Sequence, residues 1–266
     1  MARLSELMNM RGRRVLVTGA AGGLGRTMSD TLAEMGASLV LVDQTPEPLA
    51  QVAEDIKQRW SIPVQTHVVD LEDQVQRADL VAAMHDDRLG LHVLINNAAF
   101  VGTSGLSGWA VPFEAQSLET WRRALEVNLT AAFYLCQGLA PLLKESSGSI
   151  VNIGSIYGEF GPDWSLYDGT SMANPAAYAA SKGGLIQLTR WLATSLAPNI
   201  RVNSISPGGI ARGQPASFIK CYEARTPLGR MASEEDFCGA IAYLVSDMSA
   251  YVTGQNLRVD GGWGIW

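Results

Sequence analysis

Short apolar runs alternate along this chain with longer stretches in which apolar side chains recur every three or four positions. The first run, Val15 to Val17, is followed by glycines and then by Leu24, Met28, Leu32 and Met35 at helical spacing, with Gly36 as a stop. The segments SLVLVD, HVLINNA, GSIVNIGS, IRVNSISPG and QNLRVDGG read as further strands. Helices are predicted around Trp121 to Leu143, Pro175 to Leu196 and Glu234 to Val245. Asn174 before Pro175, and Ser233 before Glu234, Glu235 and Asp236, look like cap-like starts. Strands alternating with helices predict an α/β fold built on a doubly wound parallel sheet. No linker, repeat or low-complexity run divides it, so residues 1–266 read as one domain.

Two features place a dinucleotide on this frame. Gly19, Gly23 and Gly25 sit where a strand passes into a helix, so a pyrophosphate can approach backbone N–H groups at the positive helix end. Asp43 ends the next strand, placed to accept from the adenosine ribose hydroxyls. Gln44 and Thr45 follow it, and no Arg or Lys precedes Gly25 within the turn to neutralise a 2′-phosphate. NAD is therefore expected in preference to NADP.

Tyr178 and Lys182, in YAASKGGL, lie one turn apart on one helix face. A cation beside a phenol favours its ionised form, which makes Tyr178 a candidate general acid/base. With these residues the chain resembles the short-chain dehydrogenase/reductase family almost throughout. TGAAGGLG matches that family's TGxxxGxG turn, and NNAA at Asn96 to Ala99 resembles its NNAG, with Ala99 in place of glycine. Asn128, Ser155, Tyr178 and Lys182 match its tetrad, and PGG at Pro207 to Gly209 matches its nicotinamide loop.

The resemblance implies a single Rossmann-type doubly wound parallel sheet with helices on both faces, and a reversible alcohol/ketone interconversion with a nicotinamide cofactor. It implies that Ser155 holds the reacting oxygen and Tyr178 transfers the proton. Lys182 would lower the phenol's pKa and hold the nicotinamide ribose, and Asn128 would anchor a water relay. The implied cofactor contacts are Gly19, Gly23, Leu24, Gly25, Asp43, Asp70, Leu71, Asn97, Tyr178, Lys182, Pro207, Gly208 and Ile210, with Asp70 at the adenine. The family's usual assembly implies a homo-oligomer, expected as a tetramer, and the apolar end GGWGIW would need a cover.

Substrate choice must come from departures. Ser155 and Tyr178 stand 23 positions apart, a longer interval than the family usually leaves, and the stretch between carries Trp164 and Asp168. Its hydrogen-bonding groups and aromatic faces suit a sugar-like, polyhydroxylated molecule; a subunit contact is the other reading. Substrate loops are expected at about 100–116, 156–174 and 209–228, the last as a mobile lid. Arg212 stands where the family commonly has Thr, and a guanidinium there suits an anionic substrate group. The long interval also resembles a subgroup associated with flagellin modification and unusual bacterial sugars.

Composition narrows the classes. Net charge is −6 from 20 basic and 26 acidic residues, with the basic ones scattered, which disfavours nucleic acid. No segment approaches a membrane span and the N-terminus lacks a signal-peptide run, so a cytoplasmic protein is expected. Cys136, Cys221 and Cys238 lack metal-type spacing, as do the three histidines, so no metal is expected. The enzymatic rival is a 3-oxoacyl-thioester reductase, which would want a basic residue near Asp43. The non-enzymatic rival is a nucleotide-sensing scaffold on the same fold.

Overall fold

The computed structural model describes residues 3–101 and 106–266. Seven strands form one parallel sheet: β1 (Arg14–Thr18), β2 (Ser38–Asp43), β3 (Val64–Val68), β4 (Val93–Asn96), β5 (Ser149–Ile153), β6 (Arg201–Pro207) and β7 (Asn256–Val259). Their spatial order is β3-β2-β1-β4-β5-β6-β7, every pair parallel. The order reverses between β1 and β4, and in open sheets of this kind a ligand crevice forms at the carboxyl ends of the strands flanking that switch.

Helices cover both faces, and strand residues divide between them with the period of two that a pleat imposes. On one face Val15, Val17, Leu39, Leu41 and Ile95 pack against α2 (Gly23–Glu34), α3 (Pro46–Trp60) and α9 (Cys238–Val245). On the other, Leu16, Val40, Leu94, Ile150 and Val202 pack against α4 (Gln74–Asp86), α6 (Ala131–Glu145) and α7 (Ala176–Leu196). The remaining helices are the short N-terminal α1 (Leu4–Leu7), α5 (Leu118–Leu125) and α8 (Ala216–Arg225).

The helix expected around Trp121 to Leu143 is present but interrupted. Between α5 and α6 the residues Glu126–Thr130 make a π turn, and Asn128 sits in it, 1 % exposed. The expected cap at Asn174 is absent: Pro175 is the N-cap, and the first N–H of α7, at Ala176, donates to Gln116 Oε1 at 3.0 Å. The loop before α5 thus caps the helix that carries Tyr178. Ser233 does form its box with Asp236, as its spacing predicts.

The segment between Ser155 and Tyr178 differs most from the polar loop expected. A 3₁₀ turn at Trp164–Tyr167 buries Leu166, which joins Ile156, Phe218, Tyr222, Met231 and Trp263 in a separate apolar cluster. Tyr222 stacks on Phe218 and on Trp263, with ring centroids 5.9 and 6.1 Å apart. The insertion, α8 and the C-terminal segment therefore pack together, and the segment expected as a mobile lid has its helix anchored by Phe218 and Tyr222. Four residues of the 100–116 loop, 102–105, lie outside the described residues.

Candidate active site

The switch between β1 and β4 holds a cleft of about 350 Å³, lined among others by Gly19, Gly23, Leu24, Gly25, Asp43, Asp70, Leu71 and Asn97. Gly19 has φ +64, and a Cβ there would fall 2.8 Å from Ala98 Cα; a Cβ on Gly25 would collide with the Gly19 carbonyl. Any larger residue at either place would push the turn away from β4. Asn97 secures the turn by donating to Thr18 O at 2.9 Å and Gly19 O at 3.0 Å. Gly22 meets only Gly19 O, at 3.5 Å, so the backbone there stays open to a phosphate group.

At the cleft's far end, Asp43 accepts from Ala21 N at 3.0 Å and from Thr45 Oγ1 at 2.6 Å, which fixes its carboxylate at the strand end. The Asp70-Leu71-Glu72 edge is buttressed from below. Buried Arg77 donates to Leu71 O at 2.5 Å and pairs with Glu126 of the π turn at 2.6 Å. Arg123 pairs with Glu72 at 2.8 Å and lies over Phe100, 5.0 Å from its centroid. Sequence reasoning missed Arg123, because its partners Glu72 and Phe100 are remote along the chain.

A second cavity of about 250 Å³ is lined by Leu24, Asn97, Ser155, Tyr178, Lys182, Pro207, Gly208, Ile210 and Arg212, among others. Leu24, Asn97 and Arg212 line both cavities, so the nucleotide cleft and the Tyr178 cavity adjoin. Ser155 follows β5 as the cap of a short turn, accepting from Tyr157 N at 3.2 Å. Lys182 is 2 % exposed, donates to Ile153 O at 2.7 Å, and lies 5.8 Å from the Tyr178 ring centroid. Burial brings its pKa down to about 8.

Burial also pushes the Tyr178 phenol up, opposed by the Ser155 hydroxyl and by the Arg212 charge. The Lys182 ammonium bonds a backbone carbonyl, and the neighbours Ser155 and Arg212 favour the phenol's ionised form. Asn128 stands behind the cavity rather than in it. Its Oδ1 accepts from Phe100 N at 2.6 Å, and its Nδ2 donates to Ser181 Oγ at 3.0 Å, joining the π turn to α7.

Trp164 lines a third cavity of about 640 Å³ between the two long loops, together with Phe113, Asn174 and Ala179. Asp168 follows the turn Trp164–Tyr167, which buries Leu166, and is exposed and lines none of these three cavities. Arg212 is half-exposed and pairs with Glu234 at 2.8 Å. No group of metal-ligating side chains exists among the described residues, and no helix there is long and apolar enough to cross a membrane.

A family model described as enoyl-(acyl carrier protein) reductase matches residues 19–264. A cis-4-hydroxycyclohexanecarboxylate dehydrogenase of Sinomonas cyclohexanicum is 35% identical over 94% of this chain and 96% of its own length. Among solved structures, a gluconate 5-dehydrogenase from Burkholderia cenocepacia in complex with NADP and tartrate has a TM-score of 0.87 and 28% identity, covering 99% of this chain and 100% of its own. An NAD+-bound xylitol dehydrogenase has a TM-score of 0.84 and 28% identity, covering 95% and 99%. With the parallel sheet, the glycine turn and the Tyr178 cavity in place, these matches show that the chain belongs to the short-chain dehydrogenase/reductase family and is an oxidoreductase that uses a nicotinamide dinucleotide.

Proposed function

We propose that this enzyme interconverts a secondary alcohol and a ketone on a polyhydroxylated or ring-hydroxylated small molecule, with NAD in preference to NADP. The observation that carries the reading is the shared wall of the two cavities, which sets Ser155, Tyr178 and Lys182 beside the nucleotide cleft. The cofactor, when bound, supplies or accepts the hydride. The open backbone at Gly22, the turn fixed by Gly19 and Gly25, and the Asp43 carboxylate fit its diphosphate and ribose.

In this reading Tyr178 gives or takes the proton, and Ser155 donates a hydrogen bond to the reacting oxygen, stabilising the charge that grows there. Lys182 holds the nicotinamide ribose, and Asn128 anchors a water relay from the π turn. Residues 1–266 are read as one catalytic unit, with the loops 100–116, 156–174 and 209–228 as its substrate loops. NAD preference is supported by Asp43 and by the pairing of Arg123, which lines the cleft, with Glu72.

The substrate class is supported by the gluconate, xylitol and hydroxycyclohexanecarboxylate activities named for the relatives. The third cavity, walled by Trp164 and Phe113, offers the apolar surface a ring would need. A homotetramer is proposed from exposed apolar side chains on α6 and α7 and at the C-terminus. Three free thiols suit a cytoplasmic setting. The test is NADH formation over a panel of polyols, sugar acids and hydroxylated cyclohexanecarboxylates, beside 3-oxoacyl thioester reduction with NADPH. Turnover with NAD on the alcohol panel at least about tenfold above the thioester reaction is expected; the reverse order would instead favour an acyl-thioester reductase.

A further inference from the structure

The Arg212–Glu234 pair lies directly over the glycine turn. A Cβ on Gly23 would fall 2.7 Å from Glu234 Oε1 and 3.3 Å from Arg212 Nη2, so the pair occupies the space above the first residue of α2. The backbone holds it there. Ile210 bridges Ala232, with Ala211 N donating to Ala232 O and Ala232 N to Gly209 O, both at 2.9 Å, which brings the two segments together. Arg212 N donates to Gln214 Oε1 and Gln214 Nε2 to Ile210 O, each at 2.7 Å, closing a turn beneath the guanidinium. Glu234 follows Ser233, whose capping box with Asp236 is braced by Arg230 at 2.6 Å.

A carboxylate above an anion-binding helix end opposes an incoming diphosphate unless a cation stands with it. Resting on the assignment of the cleft to a nicotinamide dinucleotide, we propose that Arg212 is a cofactor-binding residue: Glu234 holds its guanidinium over the glycine turn, where it also bonds the diphosphate. This moves Arg212 from the substrate, where sequence reasoning put it, to the cofactor. A guanidinium suits this place because it presents several N–H donors and can bond a carboxylate and a phosphate oxygen together. Arg212 also lines the Tyr178 cavity and its charge favours the phenolate, so its position bears on both halves of the site.

The test is a set of dissociation constants for NADH, ADP-ribose and adenosine with the intact protein. Arg212→Met is expected to weaken NADH and ADP-ribose at least about tenfold and to leave adenosine, which lacks phosphate, unchanged. Glu234→Gln is expected to tighten NADH and ADP-ribose, since it removes the competing anion. The double variant separates lost contact from unmasked repulsion: it should bind ADP-ribose at least about tenfold more weakly than Glu234→Gln alone. Arg212→Lys should fall between wild type and Arg212→Met, keeping the charge without the fork. Equal affinity of the double variant and Glu234→Gln would overturn the proposal, as would unchanged NADH affinity in Arg212→Met. Wild-type protein that bound neither NADH nor ADP-ribose would instead sink the nucleotide assignment on which it rests.

Discussion

Lys182 is the residue whose chemistry is most constrained by its surroundings. Its ammonium is buried with one carbonyl partner, Ile153 O, and burial lowers its pKa from 10.5 to about 8. A base whose folded-state pKa lies below its unfolded value destabilises the fold while it is charged, and that cost fades as pH rises from the folded to the unfolded pKa. Wild-type stability should therefore increase relative to Lys182→Met between pH 8 and 10.5, by up to about 3 kcal/mol. Urea denaturation of both proteins at the two ends of that window checks this. A stability difference that stays flat would show that the buried ammonium carries no such penalty. That Tyr178 and Lys182 share one helix face was legible from their spacing of one turn, and their reading as a catalytic pair came from the resemblance carried by the rest of the chain. The balance of charges around them was not, since Ser155 and Arg212 lie at remote chain positions and act through the folded cavity.

At the level of elements, strands buried on both faces announced themselves as apolar runs, and the glycine turn as a strand passing into a helix. The π turn around Asn128 had no such sign, because one extra residue in a helical ladder leaves the apolar period nearly unchanged. Asn174 misled for a related reason: its residue type suits a cap, yet Gln116 from another loop takes the N–H, and both Asn174 side-chain polar atoms are left buried without a hydrogen-bond partner. The insertion, expected as a substrate loop, gave no sign of its packing role because Leu166 and Tyr167 find their apolar partners far along the chain, in α8 and at Trp263. It follows that the insertion contributes to the fold as well as to the pocket. Leu166→Ala should cost about 2–5 kcal/mol, the range for truncating a buried leucine, and should lower the melting temperature by several degrees or more. A melting temperature within a degree of wild type would contradict that contribution to the fold. Trp164→Ala, at an exposed cavity wall, should leave stability nearly unchanged.

Taken as a whole, the molecule leaves large apolar side chains exposed on two helices, α6 and α7, and at the C-terminal residues. Phe133 on α6 and Trp191 on α7 are 41 and 59 % exposed, and Ile265 and Trp266 are 67 and 74 % exposed. Large exposed apolar side chains are ones a partner subunit would cover, and two-fold pairing through α6 and α7 would bring the helix that carries Tyr178 to the proposed interface. Light scattering at micromolar concentration should report a tetramer, and a monomer there would contradict the proposed assembly. The account's central claim is that Tyr178 moves the proton while the glycine turn and Asp43 hold the cofactor. The most direct test is Tyr178→Phe, followed by turnover on the best substrate of the panel and by NADH binding measured separately. Turnover should fall at least about a hundredfold with NADH affinity within about threefold of wild type, because the change removes the proton donor and leaves the nucleotide cleft intact. A variant that kept more than about a tenth of wild-type turnover would contradict the claim, since general acid/base catalysis ordinarily supplies far more than that.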